Sequence, residues 1–84
     1  MKPRSREPGN KNIIGAKIVE IREAKGMKQK DLLSKMQILG TDMSATSLSQ
    51  LEGQYRAAKD TEILAVSEAL GVEITELLNY DRKY

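Results

Sequence analysis

Not one cysteine, histidine, phenylalanine or tryptophan occurs among the 84 residues. Without cysteine there are no disulfides, no thiol chemistry and no thiolate metal sites, a usage that fits a reducing cytoplasm. Without histidine the usual general base and the commonest metal ligand are missing. There is no glycine-rich phosphate loop and no nucleophile with a base beside it, so neither an enzyme nor a cofactor or metal is expected. Apolar runs extend over a few residues only, far short of the roughly 20 that span a bilayer. Lys2, Arg4 and Arg6 make the first residues positive, but no apolar run follows, so no secretory signal is expected. Three tyrosines are the only aromatics. A small core of aliphatic side chains between helices suits this composition better than a barrel or sandwich.

The net charge of +2 is unevenly spread. Residues 1–12 carry four basic groups against one acid, and residues 13–59 eight against five. Residues 60–84 carry two against six. A basic front and an acidic tail suggest one side that faces a polyanion and one that turns away, although a solvated surface of mixed charge has the same composition.

Residues 1–11 hold both prolines and no apolar residue after Met1, which reads as a flexible basic arm. From Ile13 the pattern turns helical. Ile14, Ile18 and Ile21 share one face of a first helix, about 13–25, with Asn12 as N-cap and Gly26 as its stop. A second helix begins near Gln29, turns Leu32, Leu33 and Met36 inward, and stops before Gly40. Ser44 caps a third, about 45–53, with Met43 and Leu48 at the spacing of a hydrophobic staple. Asp60 caps a fourth, about 61–70, with Ile63, Leu64, Val66 and Leu70 inward. A fifth, about 73–78, presents Ile74, Leu77 and Leu78. The folded domain is thus expected over 12–79, with 80–84 as a tail.

Helices 2 and 3 hold the functional signal. Helix 3 has a thin apolar stripe, Leu48 and Leu51, and short polar side chains elsewhere. A helix, a turn and a second helix of this kind can lay the second helix in the major groove of DNA. An ordinary helical hairpin has the same outline.

Specific residues go further. Ile18 to Gly26 (IVEIREAKG), Gln29-Lys30-Asp31-Leu32, Ser44 to Glu52 (SATSLSQLE), Ala69 to Val72 and Glu76-Leu77-Leu78 together resemble the XRE-type helix-turn-helix family of Cro and the phage repressors. This resemblance implies an all-α, five-helix lambda-repressor-like domain that binds double-stranded DNA in the cytoplasm as a small transcriptional regulator of repressor type. It implies a phosphate contact and an orienting role for Gln29, and a cap and phosphate contact for Ser44. Ala45, Thr46 and Gln50 fall at base-facing positions, and Ser47 serves bases or backbone. Arg56, in the loop after helix 3, matches a phosphate-contacting position, and Tyr55 beside it is a further candidate. Arg22 and Glu52 match an internal ion pair.

The chain also departs from the family. Lys28 stands where a Ser or Thr cap is usual, which makes it a candidate phosphate contact. Leu33 replaces a smaller residue, and the connection 37–43 is about five residues longer than the family turn. No Arg or Lys lies in helix 3, so guanine readout by a bidentate Arg is missing and Gln50 to adenine is the strongest direct contact on offer. A homodimer on a palindrome is the family habit, with Leu77, Leu78, Tyr80 and Tyr84 as its expected surface. Eighty-four residues leave no room for a ligand-sensing domain, so no small-molecule ligand is expected. The alternative is a protein-interaction module, antitoxin-like or an anti-repressor partner, that keeps the fold without reading bases.

Overall fold

Five helices make up the regular structure of residues 9–79, the part of the chain that the computed structural model describes. They are α1 (Gly15–Ala24), α2 (Gln29–Ile38), α3 (Ala45–Glu52), α4 (Asp60–Leu70) and α5 (Ile74–Leu77). No strand occurs among the described residues. α1, α2 and α4 end alike, on Gly26, Gly40 and Gly71 at φ of 66°, 96° and 73°. The next N–H then reaches back to a carbonyl of the last turn: Met27 to Arg22 at 2.9 Å, Thr41 to Met36 at 2.9 Å, Val72 to Ser67 at 3.0 Å. α3 closes in the same way without a glycine. Gln54 takes φ of 65° and Tyr55 N–H reaches Gln50 O at 2.9 Å.

The core is aliphatic and continuous. Ile14 and Ile18 meet Leu32 and Met36 of α2, Leu48 and Leu51 of α3, Val66 and Leu70 of α4, and Leu77 of α5. Met43 joins them from the connection before α3, which secures the chain's entry into that helix. α4 packs on α1, α2 and α5, while α3 rests on α1 and α2. The outer side of α3 is left uncovered.

Several sequence expectations change. α1 begins at Gly15 because Asn12 Oδ1 accepts the N–H groups of both Ile14 (3.1 Å) and Gly15 (2.8 Å), which holds the chain in a turn first. Asn12 Nδ2 donates to Leu51 O at 3.1 Å and Arg56 O at 2.8 Å, so this side chain also ties α1 to the end of α3. Lys59, not Asp60, is the N-cap of α4. Leu64, expected inward, is 48% exposed, since it precedes the buried Val66 by two positions and so points to the other side of the helix. Leu77 is fully buried and cannot serve a dimer surface, whereas Leu78 is 42% exposed. Tyr80 and Tyr84 lie outside the described residues, as do residues 1–8 of the expected arm. Its remainder is bonded to the domain: Gly9 N–H donates to Gly53 O at 2.9 Å and Lys11 N–H to Gln54 O at 3.0 Å.

Candidate nucleic-acid interface

Eight residues, ATSLSQLE, form α3. Leu48, Leu51 and Glu52 are buried, Ser47 is half-buried, and Ala45, Thr46, Ser49 and Gln50 stand exposed. Ser44 Oγ accepts the Ser47 N–H at 3.1 Å. That cap satisfies one orphan donor of the first turn and leaves the N–H groups of Ala45 and Thr46 without a partner inside the helix. Such donors, at the positive end of the helix dipole, suit an anion.

A buried carboxylate fixes the other end. Glu52 is 8% exposed and accepts Arg22 Nε and Nη2 through its two oxygens, both at 3.1 Å. Arg22 Nη1 also donates to Met27 O at 3.0 Å, so the guanidinium links α1, the turn before α2, and α3. Gln29 Nε2 donates to Glu52 Oε1 at 2.9 Å. A carboxylate can only accept, which sets the orientation of the Gln29 amide. Gln29 Oε1 then accepts Ser49 Oγ at 3.2 Å. The first residue of α2 is thereby clamped to two residues of α3, and its remaining amide hydrogen has no acceptor among the described residues.

Lys28 is exposed, with its backbone N–H on Asp31 Oδ2 at 3.0 Å. A carboxylate at the third position of α2 thus supplies the other half of a capping box, accepting the N–H of the cap residue, while no side chain at position 28 caps the first turn. Lys59 and Glu62 repeat the device at α4, at 3.0 Å. The Tyr55 ring lies against Gly53, where an added Cβ would come within 2.5 Å of it.

Arg56, expected to meet a phosphate, is also bonded within the domain. Its Nη1 and Nη2 meet Glu62 Oε1 and Oε2 at 2.8 and 3.1 Å. Nε donates to Ser47 O at 3.2 Å and Nη1 to Ala57 O at 2.9 Å. Four of the five guanidinium N–H groups are thus occupied, and one Nη2 hydrogen remains. Burial pushes the Glu62 carboxyl up, but the Arg56 hydrogen bonds, the Lys59 N–H and both positive charges bring it below its ordinary value. The pair joins the first half of α3 to the start of α4.

Sequence reasoning passed over Glu62 and Ser49. The first was legible in the repeated spacing Lys28-x-x-Asp31 and Lys59-x-x-Glu62, which is that of a capping box. Nothing in the sequence singles out Ser49, because its partner Gln29 comes within reach only when α2 and α3 cross.

Two solved structures share this architecture. The restriction-modification controller protein C.AhdI from Aeromonas hydrophila is 29% identical, with a TM-score of 0.64 over 76% of this chain and 89% of that one. The clp gene regulator ClgR from C. glutamicum is 24% identical, with a TM-score of 0.70 over 93% of this chain and 88% of that one. No protein-family model matches the sequence, and a search of curated proteins finds no match. Among the described residues no helix is long and apolar enough to cross a membrane, and no group of three or more acidic side chains could hold a metal ion.

Proposed function

We propose that this chain, an XRE-like helix-turn-helix protein by fold and by motif, is a sequence-specific double-stranded DNA-binding regulator that represses transcription by occupying its operator. One observation carries the reading: α3 keeps an uncharged polar face exposed while Gln29, Glu52 and Arg22 hold the helix rigidly against α1 and α2. In the major groove, Gln50 offers adenine a donor and an acceptor together, and Ala45 and Thr46 offer thymine methyl contacts. Gln29, Ser44, Lys28 and the free N–H groups at the start of α3 meet phosphates and set the register. A second copy on a palindromic site about 34 Å away completes the complex. That the two similar structures are a controller protein and a gene regulator supports this reading.

Selection of bound sequences from a random duplex pool, followed by titration at several salt concentrations, tests it. The expected outcome is an enriched motif, with log K falling against log salt by roughly 0.9 per phosphate neutralised. If no duplex binds at low salt, the proposal fails and the interaction-module reading takes its place.

A further inference from the structure

Residues 9–12 precede the first helix and carry no apolar side chain, yet they are bonded to the turn that closes α3. Gly9 N–H donates to Gly53 O at 2.9 Å and Lys11 N–H to Gln54 O at 3.0 Å. Gln54 Nε2 returns a bond to Asn12 O at 2.8 Å. Asn12 Nδ2 reaches Leu51 O at 3.1 Å and Arg56 O at 2.8 Å, while its Oδ1 holds the start of α1. Every donor hydrogen and both acceptor positions of that amide are thus in use. At Gly9 the two backbones lie so close that any Cβ would run into the Gln54 carbonyl.

α3 does not need these bonds in order to end. Gly53 N–H already serves Ser49 O at 2.9 Å, Tyr55 N–H serves Gln50 O at 2.9 Å, and Gln54 N–H serves Leu51 O at 3.1 Å. Asn12 is a second donor to a carbonyl that the turn itself satisfies. What it adds is position. The polar network of Glu52 ties α3 to Arg22 and Gln29 around one point. A helix of eight residues held at one point can pivot about it, and a second hold on the turn beyond fixes its direction. Recognition groups need placement within about 0.5 Å and 10–20° to make their contacts.

We infer that residues 9–12 are a strap that sets the placement of α3 on the domain, and that Asn12 is a positioning residue for base reading. This rests on the DNA reading proposed above and deepens it. Asn12 has no polar group left to offer DNA, so it acts through α3 alone. Gln50 directly precedes Leu51, whose carbonyl Asn12 holds, and moves with it.

Two variants of the full chain test the strap without removing charge. Asn12→Ser keeps a short acceptor at the start of α1 and removes both donors to the end of α3. Gly9→Ala leaves Asn12 in place and lifts the outer end of the strap. In competition gel shifts well below the melting temperature, each should lower the affinity ratio of preferred to random duplex about fivefold or more, the lower end of what one bidentate base contact contributes. The salt slope should not change. Val66→Ala, a cavity in the buried face of α4, should lower the melting temperature and leave the ratio alone. Amide exchange reads the strap without DNA. In Asn12→Ser the amides from Leu48 to Gln54 should exchange about fivefold faster or more relative to those of α4, the worth of about one lost hydrogen bond. Exchange that rises evenly along the chain overturns the inference. A wild type that selects a site, with strap variants that keep its preference or lose no more of it than Val66→Ala does, also overturns it and leaves the proposed function standing. If no form binds DNA, the base-reading role falls with the proposed function, and exchange alone decides whether the strap holds α3.

Discussion

Replacing Arg56 with alanine decides between two accounts of one side chain. A loop cation that touches phosphate costs the free protein almost nothing when removed. The structure gives Arg56 other work. Its side chain is 22% exposed and that of Glu62 12%, so their pairing lies between a surface bridge and a buried one. Exposed pairs contribute up to about 1 kcal/mol, and losing one partner of a fully buried pair costs about 3–5. Arg56→Ala also strips Ser47 O and Ala57 O of a donor. A loss of about 2–3 kcal/mol follows, or a fall of roughly 10–20 °C in melting temperature for a domain of this size. Circular dichroism melts read it directly.

The pH dependence supplies an independent check. The Glu62 carboxyl titrates below its ordinary value in the folded state, so the unfolded chain takes up its proton first as acid is added. Its stabilising contribution is complete above the unfolded value of about 4.3 and disappears as pH falls through the lowered folded value. Glu62→Gln should therefore be less stable than wild type at neutral pH, and the gap should close in acid. The account is refuted if Arg56→Ala melts with the wild type, and doubly so if the same variant lowers the salt slope of DNA binding by about one, the mark of a lost phosphate contact.

Three further outcomes are expected. Arg22→Ala strands the buried Glu52 carboxylate with Gln29 as its remaining side-chain donor, and should cost about 3–5 kcal/mol in a denaturant titration. Gly15→Ala would gain about 1 kcal/mol from helix propensity, but its Cβ would lie 2.5 Å from Leu51 O and 2.7 Å from Glu52 O. The clash of the new Cβ with two backbone carbonyls, which cannot swing aside, outweighs that gain, so thermal melts should show a net loss of about 2–3 kcal/mol. Gln50→Ala should cost about 1–3 kcal/mol on the preferred duplex and relax preference at one base pair, with random DNA unaffected; equal losses on both would remove Gln50 from base reading.

Local signals carried most of the fold. The stripe Ile14, Ile18, Ile21 and the stops at Gly26, Gly40 and Gly71 are properties of neighbouring residues, and they located the helices within two residues. Leu64 escaped because α4 is apolar on more than one side, and periodicity does not say which side meets the core. The site was legible in part. Gln29, Arg22 and Glu52 stand out by resemblance to a known pattern, and their bonds link parts of the chain that are distant in sequence. Arg56 shows where that approach stops. A cation in a loop reads as solvent-facing until its neighbours are known, and Glu62 becomes its partner only through the turn between α3 and α4.

The Arg56–Glu62 ion pair bears on the electrostatics of the proposed complex. α3 holds no basic side chain, and the guanidinium after it is neutralised by Glu62. In that complex, attraction to phosphate then falls mainly to Lys28 and the backbone N–H groups at the start of α3, together with the basic groups before Asn12. Lysines are point charges without the planar fork that would fix a register. Register therefore falls to the uncharged donors, Gln29 above all, whose amide is already oriented by Glu52 and Ser49. On this view Gln29→Ala should lower discrimination between preferred and random duplexes more than it lowers the salt slope, because it removes geometry and not charge. Lys28→Ala should do the reverse. A competition gel shift over several salt concentrations measures both quantities in one series. If the two variants behave alike, the division between lysines that attract and an amide that positions is wrong.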